Sequence, residues 1–278
     1  MPTKRQPLAP PSEMVEYYRQ GDLFLNSEVN RLRDHSFIKP ADAEQSIRFL
    51  TQNSSLTSLA YVDVDAERLT ANFQAIVDLL QTIAPENPLG RVLHHTAIAD
   101  ALATLPWSAP ISELENSMLQ WAEREGLDGE SLLQMLHWAM SPFRRLTAER
   151  YAEELRQLVT NEKSTCPICG SYPDFALLDD NEHGRRYLYC LGCNWQWPFK
   201  RMGCGFCGNE DPGQLGYVVI EEFKGCKIYH CEQCKSYLKT FDQRAAAARL
   251  DPNPMLEHVK SLFMDLLAIE KGYLPMHA

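Results

Sequence analysis

Apolar positions in the first 160 residues recur at intervals of three and four, the period of one face of a helix. Leu69, Phe73, Ile76, Leu80 and Ile83 form such a stripe, opened by Asp63 and Asp65 and ended by Pro85 and Pro88. Ser112 and Glu115 stand in a capping-box pattern ahead of Met118, Leu119 and Ala122, and Gly126 suits the stop of that helix. Leu132, Leu133, Leu136, Trp138 and Ala139 follow, and Pro142 is expected to part them from a helix over 144–159 whose inward residues are Leu146, Tyr151, Leu155 and Leu158. Earlier, helices are expected over 12–33, despite Gly21, and over 41–52.

The pattern changes near Lys163. Runs such as Tyr187-Leu188-Tyr189 and Gly216-Tyr217-Val218-Val219-Ile220 alternate with turn formers and predict short strands. Beyond Pro252 and Pro254 a last amphipathic helix is expected, with Leu256, Val259, Leu262, Phe263, Leu266 and Leu267 inward. The fold class expected is α+β: a helical domain over 1–162, two metal-binding modules over 163–200 and 201–245, and a C-terminal helix within 246–278 packing on what precedes it.

With 278 residues, 45% of them hydrophobic, the chain can bury a core. Its net charge of −10 disfavours non-specific affinity for nucleic acid or anionic membrane. No apolar run follows Lys4-Arg5 as a signal peptide would require, and the stretch 262–269 is interrupted by Asp265 and too short to span a bilayer. These features predict a soluble, cytoplasmic protein.

All nine cysteines lie between Cys166 and Cys234, and eight form C-x-x-C pairs: Cys166/Cys169, Cys190/Cys193, Cys204/Cys207 and Cys231/Cys234. Two-residue spacing lets both thiolates of a pair reach one ion, and two pairs complete a tetrahedral shell. The region is also a repeat. Residues 166–171 (CPICGS) align with 204–209 (CGFCGN), and 186–190 (RYLYC) with 227–231 (KIYHC), each unit opening C-x-x-C-G. The repeat pairs ligands as Cys166, Cys169, Cys190 and Cys193, and as Cys204, Cys207, Cys231 and Cys234. Cross-bracing of 166/169 with 204/207 is the alternative, and a pair of redox dithiols lacks the βαβ context it needs.

Four thiolates leave no open coordination position, so metal-assisted hydrolysis is not expected. Zinc and iron satisfy the donor set equally: zinc makes the modules structural, whereas iron adds one-electron chemistry. Cys226 is read as a strand thiol outside the sites, Trp195 and Trp197 as core. His230 is a dispensable substitute ligand, and His94, His95 and His137 are packed or capping side chains. Residues 161–240 hold nine Lys plus Arg against ten Asp plus Glu, which argues against a phosphate-tracking surface. No P-loop, G-x-S-x-G or dinucleotide fingerprint occurs, so no enzyme activity is expected.

These motifs resemble the formate dehydrogenase accessory proteins of the FdhE family. The likeness rests on C-P-x-C-G-S at 166–171, R-Y-L-x-C at 186–190, W-x-W at 195–197, the C-x-x-C pairs at Cys204 and Cys231, Tyr237-Leu238-Lys239, and Glu270-Lys271-Gly272-Tyr273. It covers roughly 130–274; Cys226 and the pair Pro198-Phe199 depart from it. The resemblance implies a helical domain followed by two rubredoxin-like modules in a cytoplasmic factor. Such a factor binds the catalytic subunit of a respiratory formate dehydrogenase before export, and the eight paired cysteines are associated with two iron ions. A rubredoxin-like electron-transfer protein and a structural zinc-ribbon interaction module are the alternatives.

Overall fold

A computed structural model describes residues 9–33, 66–83, 102, 104–105, 111–157, 163–220, 223, 225–245, 251 and 253–276. The expected helix over 41–52, the breakers Pro85 and Pro88, and His94 and His95 lie outside the described residues. The chain divides into two compact units, one drawn from 20–157 and 167–170, the other from 1–19, 158–166 and 171–278.

In the helical region the elements are α1 (Ser12–Leu32), α2 (Ala66–Ile83), α3 (Ile111–Glu125), α4 (Gly129–Arg150) and the short α5 (Ala152–Gln157). Helices α2 and α3 pack on α4, with Leu69, Phe73, Ile76, Leu114, Met118, Leu132 and Leu136 buried as the three-four spacing requires. The N–H of Leu127 donates to the Ala122 carbonyl and that of Gly126 to Glu123, with Gly126 at φ +68°, a Schellman ending for α3. Ser112 lies inside α3 rather than ahead of it, and Glu115 meets His137 Nε2 at 2.7 Å instead of closing a capping box. His137 therefore has an acidic partner that its position in sequence did not reveal.

Pro142 does not end a helix: α4 runs through it without interruption. The ring removes one N–H and costs about 3 kcal/mol. Burial of Met135, Leu136 and Ala139 before it and Phe143 and Leu146 after it holds the helix together. Gly21 is likewise interior to α1, where its lack of a side chain admits the Trp138 ring; a Cβ there would lie 2.9 Å from it. Arg145 joins α4 to α1 through Asp22 (3.2 Å) and Asn26 (2.8 Å).

The second unit is built on six strands: β1 (Phe175–Leu178), β2 (Arg186–Cys190), β3 (Trp195–Phe199), β4 (Leu215–Val219), β5 (Cys226–Cys231) and β6 (Tyr237–Asp242). They form one sheet in the order β3-β2-β1-β6-β5-β4. Each repeat contributes an antiparallel three-strand meander, and the meanders meet where β1 runs parallel to β6, Ala176 opposite Thr240. The parallel junction follows from the repeat. β1 and β3 point the same way across one intervening strand, and β6 is the repeat equivalent of β3, so a head-to-tail copy sets β6 parallel to β1. Pro198 is accommodated because β3 is an edge strand, where a missing N–H breaks no ladder bond.

Phe175, Tyr189, Ile228 and Phe241 form the core of one sheet face with Met264 and Ala268. The C-terminal segment is two helices, α6 (Pro254–Lys260) and α7 (Leu262–Glu270), rather than one. Asn253 caps α6 by accepting from Met255 and Leu256 N–H groups, with Pro254 at the first helical position. Ser261 interrupts the run, its hydroxyl donating to the His258 carbonyl at 2.9 Å. The break turns the apolar stripe: Leu256, Val259, Met264 and Ala268 are buried, while Leu266, expected inward, is 58% exposed. Among the described residues no helix is long and apolar enough to cross a membrane.

Candidate metal centre

Each knuckle is built alike. The N–H of its first cysteine donates five residues ahead, Cys166 to Ser171 (2.8 Å), Cys204 to Asn209 (2.8 Å) and Cys231 to Ser236 (3.0 Å), and Cys190 is paired with Trp195 across β2 and β3. The residue after the second cysteine is left-handed in all four: Gly170 (φ +81°), Asn194 (+52°), Gly208 (+74°) and Lys235 (+55°). The C-x-x-C-G pattern marks the two glycines, which take this conformation without steric cost. Asn194 and Lys235 are its less legible equivalents. Asn194 is additionally held by the Tyr189 hydroxyl, and Asp174 accepts from the Leu191 N–H inside the second knuckle at 2.8 Å.

These turns bring the eight cysteines together in two groups, Cys166, Cys169, Cys190 and Cys193, and Cys204, Cys207, Cys231 and Cys234, each with its ligand atoms within 4.8 Å of one another. The grouping is the within-repeat pairing, not the cross-braced one. In the second group Cys204 Sγ lies 3.6 Å from Cys234 Sγ, and Cys207 Sγ 3.8 Å from Cys231 Sγ. A tetrahedron with metal–sulfur bonds of about 2.3 Å has edges of about 3.8 Å. The donor set therefore fits a zinc or iron ion, and each cluster could bind one.

The two groups differ in exposure. All four cysteines of the first are buried, whereas Cys207 of the second is exposed and Cys234 half-buried. Burial pushes the Cys204 thiol well up. At Cys231 burial also acts upward, but hydrogen bonds from the Cys234 backbone, Asn209, the Gln233 backbone and Cys207 outweigh it and bring the thiol down to about 7. The Asn209 amide lies 3.7 Å from Cys231 Sγ, and the Phe206 N–H donates to Cys204 Sγ at 3.4 Å. Hydrogen bonds of this kind stabilise thiolate.

Cys226 opens β5 and stands outside both groups, its thiol pushed up to about 11 by burial and by Glu257. His230 stacks on Tyr273 with ring centroids 4.4 Å apart and joins neither group. Trp197 is buried in β3, its Nε1 donating to the Lys163 carbonyl at 2.9 Å. The group that sequence reasoning missed is Arg186. Its position in R-Y-L-x-C was visible, but its burial beside the second cluster was not. The guanidinium donates to the Gly203 carbonyl at 2.8 Å and lies over the Tyr229 and Phe199 rings at 5.1 and 5.6 Å. Burial lowers its pKa to about 10, so it remains a cation at neutral pH.

Comparison with known proteins finds similarity over part of the chain. Residues 165–201 match the model of the FdhE central domain. A protein FdhE homolog from Aquifex aeolicus is 35% identical over 114 residues, which are 40% of this chain and 39% of that protein. Protein FdhE from Escherichia coli K12 is 30% identical over 118 residues, 40% of this chain and 35% of that protein. The aligned stretches thus span little more than a third of these relatives. The crystal structure of the FdhE protein from Pseudomonas aeruginosa superposes with a TM-score of 0.56 at 19% identity, covering 96% of this chain and 95% of that chain, which shows a shared fold.

Proposed function

We propose, from its similarity to FdhE proteins over part of its length, that the chain is a cytoplasmic maturation factor that binds the catalytic subunit of a formate dehydrogenase before export. Residues 163–200 and 201–245 act as two modules, each holding one metal ion, iron by family resemblance, between the helical domain 1–162 and the C-terminal segment 246–278. The observation that carries this reading is the presence of two complete four-thiolate clusters among residues 166–234, within and beyond the stretch that matches the FdhE central domain. Closed shells of this kind hold a fold and present a surface, and they offer no vacant position for a substrate.

The chain's own residues set what the centres do. The left-handed turns at Gly170, Asn194, Gly208 and Lys235 aim paired sulfurs at one point, and N–H donors such as Phe206 stabilise the charge gathered there. When bound, the ions supply the cross-links that hold the knuckles closed. The test is co-purification of the tagged chain from a formate-respiring host grown without oxygen. Recovery of the catalytic subunit supports the assignment, and its consistent absence refutes it.

A second reading, electron transfer during the partner's maturation, is favoured by the exposed Cys207, which brings a ligand of the second centre to the surface. It requires iron that bleaches reversibly on reduction. Colourless metal in protein purified without oxygen excludes it.

A further inference from the structure

Arg186 is 2% exposed, and neither of its neighbouring rings nor the Gly203 carbonyl carries a charge to balance it. Its Nε has no hydrogen-bond partner among the described residues. The side chain lines a cavity of about 230 Å³ whose wall, among the described residues, includes Arg201, Cys204, Tyr229, His230 and Cys231 but no carboxylate. Arg201 offers no compensation, being a second cation that donates to the carbonyls of His183 and Gly184. A buried guanidinium without a counter-charge is strongly unfavourable.

The repeat sharpens the question. Arg186 opens β2 four residues before Cys190, and Lys227 stands four residues before Cys231 in the equivalent strand. Lys227 has its own carboxylate, Asp242, at 3.1 Å. Arg186 instead reaches out of its own repeat to the backbone of Gly203, the residue before Cys204. Four thiolates around a divalent ion leave two net negative charges, and around a ferric ion one.

We propose that Arg186, supplied by the first repeat, is the fixed counter-charge of the second metal centre. This rests on the reading of the cysteine clusters as metal sites. It assigns Arg186 a positioning role toward the ion through the thiolates, and it makes the two centres unequal: the second depends on a cation from the other repeat.

The test is chelator competition on the full-length chain loaded with zinc, comparing wild type with Arg186→Met and Arg186→Lys. Loss of an outer partner of a metal ligand typically weakens binding roughly ten- to a hundredfold. Arg186→Met is expected to loosen one of the two ions by that factor and leave the other unchanged. In a Cys207→Ser background, which disables the second centre, the same substitution is expected to have no effect on the ion that remains. Arg186→Lys keeps the charge and is expected to hold both ions within a few-fold of wild type. If Arg186→Met does not fold, Arg186→Gln takes its place as the neutral variant. Unchanged affinities, equal loosening of both ions, or a lysine variant as weak as the neutral one overturns the inference. A wild-type chain that binds fewer than two ions overturns the metal reading itself.

Discussion

Lys239 Nζ on β6 donates to Asp265 Oδ2 on α7 at 2.8 Å, and the lysine is 1% exposed. The same ammonium donates to the His258 carbonyl at 3.1 Å, and the Tyr237 hydroxyl donates a hydrogen bond to Asp265 Oδ1 at 2.9 Å. The C-terminal helices are thus fastened to the sheet by a buried ion pair as well as by apolar contact. Removing one partner strands the other charge in a medium that solvates it poorly. Asp265→Ala is therefore expected to destabilise the protein by about 3–5 kcal/mol, read from urea unfolding, while the paired change Lys239→Met with Asp265→Leu recovers most of the loss.

Asp242 receives Arg244 Nε and Nη2 at 2.8 Å and Lys227 at 3.1 Å. The hydrogen bond from Arg244, with help from Lys227, holds its carboxyl at about 2 against an ordinary 3.8. The folded pKa lies below the unfolded one, so this contribution is fully present above about pH 4 and is lost as pH falls toward 2. The stability gap between wild type and Asp242→Asn should shrink across that window. A gap that is constant with pH shows that the carboxylate contributes nothing by its charge.

At the third knuckle Gly208 has φ +74°, and a Cβ there would meet nothing within 4 Å. Gly208→Ala therefore tests backbone conformation alone, and a loss of about 1–2 kcal/mol is expected in thermal unfolding. Lys235, at φ +55° in the fourth knuckle, carries the opposite sign: Lys235→Gly should leave stability level or raise it by up to about 1 kcal/mol.

Helix propensity and packing oppose each other at Gly21. Alanine gains up to about 1 kcal/mol in a helix interior, but its Cβ would lie 2.9 Å from the Trp138 ring. Overpacking of this kind costs about 1–3 kcal/mol, so Gly21→Ala should lower the melting temperature. A rise would show that the ring yields.

The local parts of this structure were legible in sequence where a short-range pattern carries them. The stripe through Leu69, Phe73 and Ile76 yielded its helix, and the C-x-x-C-G repeat yielded the knuckles and the grouping of their cysteines. Pro142 misled because a local penalty was outweighed by burial along α4, which no window of sequence displays. The single C-terminal helix misled because the hydroxyl of Ser261 takes up the His258 carbonyl at a point the apolar periodicity passes over. The joining of both meanders through β1 and β6 was invisible for a different reason. Ala176 and Thr240 are far apart in the chain, and their parallel pairing leaves no local mark. Arg186 showed its position but not its surroundings, since Gly203 and Tyr229 among its neighbours come from the other repeat.

The most direct test of the two-centre account is elemental analysis of the full chain purified without oxygen, beside Cys226→Ser and Cys207→Ser. The account predicts two zinc or iron ions per chain in wild type and in Cys226→Ser, and a loss confined to one ion in Cys207→Ser. One ion or none in wild type, or the loss of an ion from Cys226→Ser, would contradict it.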